Sequence, residues 1–254
     1  MDSVQKPDNK IKKVIGVLSG KGGVGKSTVS FLLAVYLKQL GYSVGVMDAD
    51  ITGPSMPRLF NITKAPVLKG TEHAIEPYMT KRGIPLISMN FFLESEDKPV
   101  VWRGPLLGKA VQQLWEEVVW GELDYLIIDL PPGTADITLT TMQSIPLNGL
   151  VFVSTPHDLV SVIVRKTINM AAQLSIPMLG IVENMSYMKC PHCGEKIDVF
   201  PGASDHPAGL DLLLELPIAA PVASCNVTDI KAQFPDIDRD CETFARLVAE
   251  KAKK

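Results

Sequence analysis

The stretch SGKGGVGKST, Ser19 to Thr28, decides how the rest of the chain is read. Gly20, four residues, Gly25, Lys26 and Ser27 spell the phosphate-loop pattern G-x-x-x-x-G-K-[ST]. Before it, Val14 to Leu18 (VIGVL) is apolar and β-branched, as a buried parallel strand would be. After it, Val29, Leu32, Leu33, Tyr36, Leu37 and Leu40 recur mostly three or four apart, and Gly41 supplies a helix stop. Strand, glycine loop and helix thus stand in the required order. Glycines let the backbone turn tightly and aim several N–H groups at one point, and the start of a helix adds positive potential, so the natural occupant is a polyphosphate. The expected nucleotide-binding residues are Gly20, Lys21, Gly22, Gly23, Val24, Gly25, Lys26, Ser27 and Thr28. Lys26 is expected to reach the β- and γ-phosphates, and the Ser27 hydroxyl to ligate Mg2+.

Working outward, apolar β-rich runs alternate with helical patterns, which predicts an α/β fold: one doubly wound, mostly parallel sheet flanked by helices. Strands are expected at Val14 to Ser19, Ser43 to Asp48, Ile84 to Met89, Tyr125 to Asp129, Leu150 to Ser154 and Met178 to Glu183. Helices are expected at Ser27 to Leu40, Leu106 to Val119, Asp136 to Ser144, Leu159 to Leu174 and Thr243 to Ala252, with a short hairpin between Gly70 and Gly83. Residues 1–11, with Pro7, Asp8 and Asn9, read as a disordered lead-in. Residues 12–254 then form a single ATPase domain.

The 254 residues are 46% apolar, enough for a large core, and carry a net charge of −3 with a pI near 5.8. That balance predicts no nucleic-acid partner and no attraction to anionic lipid. No apolar run approaches the ~20 residues of a membrane span, and MDSVQKPDNK lacks the apolar centre of a signal peptide, so a cytoplasmic protein is expected. Its four cysteines are then expected to be reduced.

Acidic residues follow the strands. The second strand runs into Asp48 and Asp50, two apart and so able to share a face on an extended segment. Ligands of open α/β sheets gather beyond the carboxyl ends of strands, which turns both carboxylates toward Mg2+ or a water. The apolar run LDYLIID ends in Asp129, a Walker B strand whose carboxylate would hold Mg2+ through water. Next come Pro131, Pro132 and Gly133; here the prolines restrict the backbone and Gly133 can bring an N–H to the γ-phosphate, so that Pro132 and Gly133 make a candidate switch with Asp48 in support. No Asn/Thr-Lys-x-Asp stretch marks a guanine site, which favours ATP.

Cys190 and Cys193 form C-x-x-C within MSYMKCPHCGEK. Two thiolates at that spacing grip one soft metal centre. A tetrahedral or four-iron site takes four ligands, and the pair supplies two. Zinc is an alternative, since CPHCG reads as half a zinc ribbon. Cys225 and Cys241 have no partner at ligand spacing and read as core or surface residues.

The second loop lysine, Lys21, gives the form GKGGVGKST, which resembles the deviant Walker A of the family that includes MinD, ParA, ArsA and the nitrogenase iron protein. With DADITGPSMP, VWRGP at Val101 to Pro105, DLPPGTAD, GIVENMS and CPHC in order, the chain resembles the Mrp/ApbC branch, the iron-sulfur cluster carriers. The resemblance implies a homodimer closing over ATP, with Lys21 acting in trans on the partner's nucleotide. It makes Asp50 the switch residue that touches the metal's water shell and orients the attacking water, so the catalytic set is Lys21, Lys26 and Asp50. Magnesium would be held by Ser27, Asp50 and Asp129, and Asn184 would hydrogen-bond the adenine. It further implies that Cys190 and Cys193 of two subunits hold one 4Fe-4S cluster, passed to apoproteins with slow ATP hydrolysis as the switch. The alternatives are a MinD/ParA-like positioning ATPase and a zinc-structured phosphate-loop ATPase. Three features depart from the branch: Ala135 stands where a glycine is common, VFPGASDHPAG replaces a glycine-rich run, and no extra N-terminal cysteine cluster is expected.

Overall fold

Six runs too apolar to tolerate water on either face become the parallel core of one sheet. The computed structural model describes residues 7–50, 55–71, 74–92, 104–133, 136–156, 162–199 and 210–253. In chain order the elements are β1 (Lys10–Ser19), α1 (Lys26–Gln39), β2 (Val44–Asp48), α2 (Ser55–Leu59), β3 (Gly70–Thr71), β4 (Ala74–Ile75), β5 (Tyr78–Met79), β6 (Pro85–Ser88), α3 (Gly104–Glu117) and β7 (Glu122–Asp129). They continue with α4 (Asp136–Ser144), β8 (Gly149–Ser154), α5 (Val162–Gln173), β9 (Met178–Glu183), β10 (Tyr187–Lys189), β11 (Lys196–Asp198), β12 (Leu212–Glu215), α6 (Ala220–Ala223), α7 (Val227–Gln233) and α8 (Pro235–Lys251).

The main sheet has eight strands in the order β12-β9-β8-β1-β7-β2-β6-β5, parallel throughout except for the short edge strand β5. The chain leaves β1, crosses over α1 and returns as β2 beyond β7, while β8 lies on the other side of β1. The carboxyl end of β1 is therefore a point where strand order reverses, the place where such sheets receive ligands. Register then sets the depth of the site: Val17 of β1 pairs Asp129 of β7, Asp129 pairs Asp48 of β2, and Asp48 pairs Ser88 of β6. Polar groups more than eighty positions apart in sequence thereby form one row at the end of an apolar sheet.

The helix after the loop is buried on nearly every side, Val29 to Leu37 without a break. One face lies on the sheet and the other under α8, where Tyr36 Oη donates to Asp238 Oδ1 at 2.6 Å.

Several expectations shift. The strand starts at Lys10, so Lys10 and Ile11 do not belong to a disordered lead-in. Asn9 is also tied down, its Nδ2 donating to Val118 O and its Oδ1 accepting from Trp120 N and Gly121 N. The last helix begins eight residues before Thr243, with Pro235 in its first turn and Asp236 and Asp238 complementing its dipole. Two strand pieces were not anticipated: β12 at the sheet edge, and the β10–β11 hairpin that carries the cysteine pair. Between Gly70 and Gly83, β3 and β4 form a two-residue antiparallel pair, but β5 leaves them to join β6. The stretches VWRGP up to Arg103, Val199 to Gly209 beyond Val199, Ala135 and the start of the helix expected at Leu159 lie outside the described residues.

Candidate functional site

Gly23 and Gly25 have φ of +82° and +85°, the left-handed region that only glycine enters without strain. At Gly25 a Cβ would also meet Asn184 Nδ2 at 2.1 Å, so nothing larger fits. The loop closes over a cavity of about 350 Å3 lined by its own residues with Asp50, Leu59 and Pro132.

Lys26 is 6% exposed and its Nζ lies 2.9 Å from Asp129 Oδ2 and 3.3 Å from Asp50 Oδ2. Burial opposes its charge, yet Asp129, Asp50 and Asp48 together hold the ammonium above its ordinary value. Both oxygens of Asp129 are engaged: Oδ2 also accepts from Ser27 Oγ at 2.5 Å, and Oδ1 accepts from Ser30 Oγ at 2.7 Å. Asp48, wholly buried, accepts from Ser88 Oγ at 2.8 Å and from Asp50 N at 3.1 Å. Burial first, then the neighbouring Asp129 charge, push its carboxyl up to about 8, so at neutral pH it carries a proton. Asp50 lines the cavity while Asp48 is buried away from it, so the spacing expected to turn both carboxylates toward the site brings only one of them there.

The donor set suits magnesium. It is all oxygen, hydroxyls and carboxylates, which a hard cation prefers, and it offers few protein ligands, which fits an ion that keeps waters and phosphate oxygens. Ser27, Asp129 and Asp50 are the residues that would hold it.

The switch and base residues sit differently from expectation. Gly133, at φ +82°, gives its N–H to Ser19 O at 2.8 Å, so that donor is engaged by the loop and not aimed at a phosphate. Asn184, expected at the adenine, is 4% exposed and donates Nδ2 to Val24 O at 2.9 Å, because a buried amide nitrogen must find an acceptor. In this structure it braces the loop from below. Lys21 is exposed, and its carbonyl accepts from Ser19 Oγ.

Cys190 and Cys193 occupy the turn of the β10–β11 hairpin, in which Met188 pairs Ile197 and Lys189 pairs Lys196. Cys190 N donates to Glu195 O and Gly194 N to Cys190 O, with Gly194 at φ +78°. The Cys190 sulfur is held below its ordinary pKa by N–H donors, that of Cys193 first and of His192 next. Both thiols are free and reach solvent. Among the described residues no third His, Cys, Asp or Glu joins them into a metal-holding group. Cys225 and Cys241 are buried, and burial pushes the Cys225 thiol up to about 12 and raises that of Cys241, so both are core residues as expected.

Sequence reasoning missed Ser30, Ser55 and Ser88. Ser30 did leave a signal, one hydroxyl within the apolar run VSFLLAVYL, where a buried polar group needs a partner. Ser88 ends a strand at the same level as Asp48. Ser55 left none.

A model of the ParA family described as NUBPL iron-transfer P-loop NTPase matches residues 10–251. A Clostridium perfringens protein named iron-sulfur cluster carrier protein is 51% identical over 218 residues, 82% of this chain and 76% of that relative. A Methanocaldococcus jannaschii protein of the same name is 42% identical over 256 aligned positions, 97% of this chain and 86% of the relative. The nucleotide-binding protein of Archaeoglobus fulgidus, solved in complex with ADP, superposes with a TM-score of 0.72 at 38% identity, covering 92% of this chain and 88% of that one. The cell division ATPase MinD of Pyrococcus furiosus, at 19% identity and a TM-score of 0.63, shares the fold. No helix among the described residues is long and apolar enough to cross a membrane.

Proposed function

The chain belongs to the NUBPL iron-transfer P-loop NTPases of the ParA family, and from that premise we propose that it is an ATP-hydrolysing carrier of a 4Fe-4S cluster, held between two copies of itself and delivered to apoproteins in the cytoplasm. The observation that carries this reading is the half-built thiol site. Two solvent-reaching sulfurs on one turn, one of them biased toward thiolate, have no third ligand within the described chain. A four-ligand centre needs two more, and a second copy supplies an identical pair.

At the other site, arriving phosphate oxygens draw the Lys26 ammonium away from Asp50 and Asp129. Asp50 then orients the attacking water, and Asp129 would hold metal-bound water. When bound, magnesium neutralises charge developing on the transferred phosphoryl group. On this reading Lys21, which is exposed, acts on the partner's nucleotide. Relatives named carriers and a relative solved with ADP support the two halves of this reading.

Anaerobic reconstitution with ferrous iron and sulfide tests it. The wild-type chain should take up about two iron atoms per protomer, as a shared four-iron cluster requires, develop visible sulfide-to-iron absorption and sediment as a dimer. Cys193→Ser should lose the cluster while binding ATP as before. Equal iron uptake by Cys193→Ser would remove the assignment, and tightly held zinc in protein purified without oxygen would replace it with the zinc-structured reading.

A further inference from the structure

Oxygen atoms near the phosphate loop differ in what they have left to give. Asp129 pairs with the Lys26 ammonium and accepts from Ser27 on one oxygen and accepts from Ser30 on the other, so its lone pairs are largely committed within the protein. Asp48 is committed to Ser88 and to the Asp50 N–H, and is fully buried. Ser27 gives its hydrogen to Asp129 and keeps its oxygen lone pairs on the cavity side. One further hydroxyl stands beside it: Ser55, the first residue of α2, donates to Ser27 Oγ at 2.8 Å and lines the same cavity. Its own oxygen lone pairs have no competing donor in this chain of hydroxyls, Ser55 to Ser27 to Asp129.

We propose that Ser55 is a second hydroxyl ligand of the nucleotide's magnesium ion, adjacent to Ser27 in the coordination shell. Metal–oxygen bonds of about 2.0–2.1 Å at right angles put neighbouring ligands about 2.9 Å apart. The two hydroxyls already stand at 2.8 Å, so an ion can take both oxygens without moving α1 against α2. The hydrogen Ser55 now lends to Ser27 turns outward to solvent or phosphate as the ion takes the oxygen, and no net proton is lost. Asp50 lines the same cavity, so an ion held by Ser55 shares that cavity with the water-orienting carboxylate. Ser55 is in this sense a positioning residue: it acts on water attack through the ion.

The inference rests on the loop being a nucleotide site, and its test separates the two. Affinity of the whole 254-residue chain for a fluorescent ADP analogue is measured in EDTA and across a magnesium titration. Ser55→Ala should keep the EDTA affinity within about twofold while the tightening produced by magnesium shrinks about tenfold. Ser55→Thr should restore it. Ser55→Cys should bind the analogue poorly with magnesium and regain tight binding with cadmium, a thiophilic ion, beyond any cadmium effect on the wild type. A magnesium response in Ser55→Ala equal to the wild type overturns the proposal, as does an equal loss with and without magnesium, which would mark a structural role. Failure of the wild type itself to bind the analogue would instead overturn the nucleotide site.

Discussion

The phosphate loop and the thiol hairpin are built on opposite terms. Around the loop, Lys26 is 6% exposed, Asp48 and Asp129 are fully buried, and the side-chain bonds of Ser27 to Asp129 and of Ser88 to Asp48 join elements far apart in sequence. At the hairpin, Cys193 is open to solvent, and the two ion pairs beneath it, Lys189 with Asp236 and Lys196 with Glu215, are both partly exposed. The first site is preorganised, its charges fixed where water cannot reorganise around them. The second presents its groups at the surface, as the proposed cargo site must if it is to receive and surrender a cluster by contact with another protein. On that proposal one chain separates a buried switch from an accessible load, and the difference is measurable.

The widest gap should appear when one lysine is removed from each region. Lys26→Ala takes away the cation that Asp129 and Asp50 share, a change that costs about 3–5 kcal/mol at a buried pair. At about 2–4 °C per kcal/mol for a chain of this size, the melting temperature without nucleotide should fall by roughly 10 °C. ATP binding should be lost with it, as isothermal titration would show. A Lys26→Ala protein as stable as wild type would mean that the lysine is solvated and the loop is not the buried network described above.

A smaller effect sharpens the same contrast through pH. Asp48 is protonated in the folded chain up to about 8, far above its ordinary carboxylate value. Below pH ~4 it is protonated folded or unfolded and contributes no slope. As pH rises from there to about 8 the unfolded chain releases the proton while the folded chain keeps it, so stability falls through that window and levels off above it. Asp48→Asn keeps the shape and an acceptor for Asp50 N but removes the titration. Relative to wild type it should gain about 3–4 kcal/mol between pH 5 and pH 8 in denaturant unfolding. A difference that does not change with pH would show that Asp48 is already ionised in the folded protein.

What the sequence reveals follows the same divide. The loop chemistry is local: Gly25, Lys26 and Ser27 announce themselves because a tight turn, a phosphate and a metal each demand a residue type at a fixed spacing, and Asp129 is legible as the end of an apolar strand. Partners that exist only through strand order are silent. Ser30 and Ser27 meet Asp129 across 99 and 102 positions, Ser88 reaches Asp48 across 40, and Asn184 reaches Val24 across 160. The resemblance implied an adenine contact for Asn184, whereas its bond to Val24 depends on the loop passing over it, which no local pattern marks. The Cys-x-x-C pair was readable, but its hairpin was not, since β11 (KID) is too short and too exposed to show a strand period. The start of α8 hid behind acidic residues that stabilise a helix N-terminus yet look like loop.

The smallest effect is also the most discriminating, because it asks whether the hairpin is independent of the core. Lys189 pairs with Asp236 in the first turn of α8 and lies 5.7 Å from the centre of the Phe234 ring, directly before Cys190 in sequence. The pair is partly exposed, so Lys189→Ala should cost less than about 1 kcal/mol of global stability. Its consequence should be local instead. Amide hydrogen exchange of Cys190 and Gly194, whose N–H groups close the turn, should accelerate about fivefold while β1 and β7 stay protected. High salt should bring the wild type toward the variant, since an exposed pair is screened within about 3 Å at 1 M. If Lys189→Ala instead lowered the melting temperature as far as Lys26→Ala, the hairpin would be part of the core, and the separation of buried switch from accessible cargo site would fail.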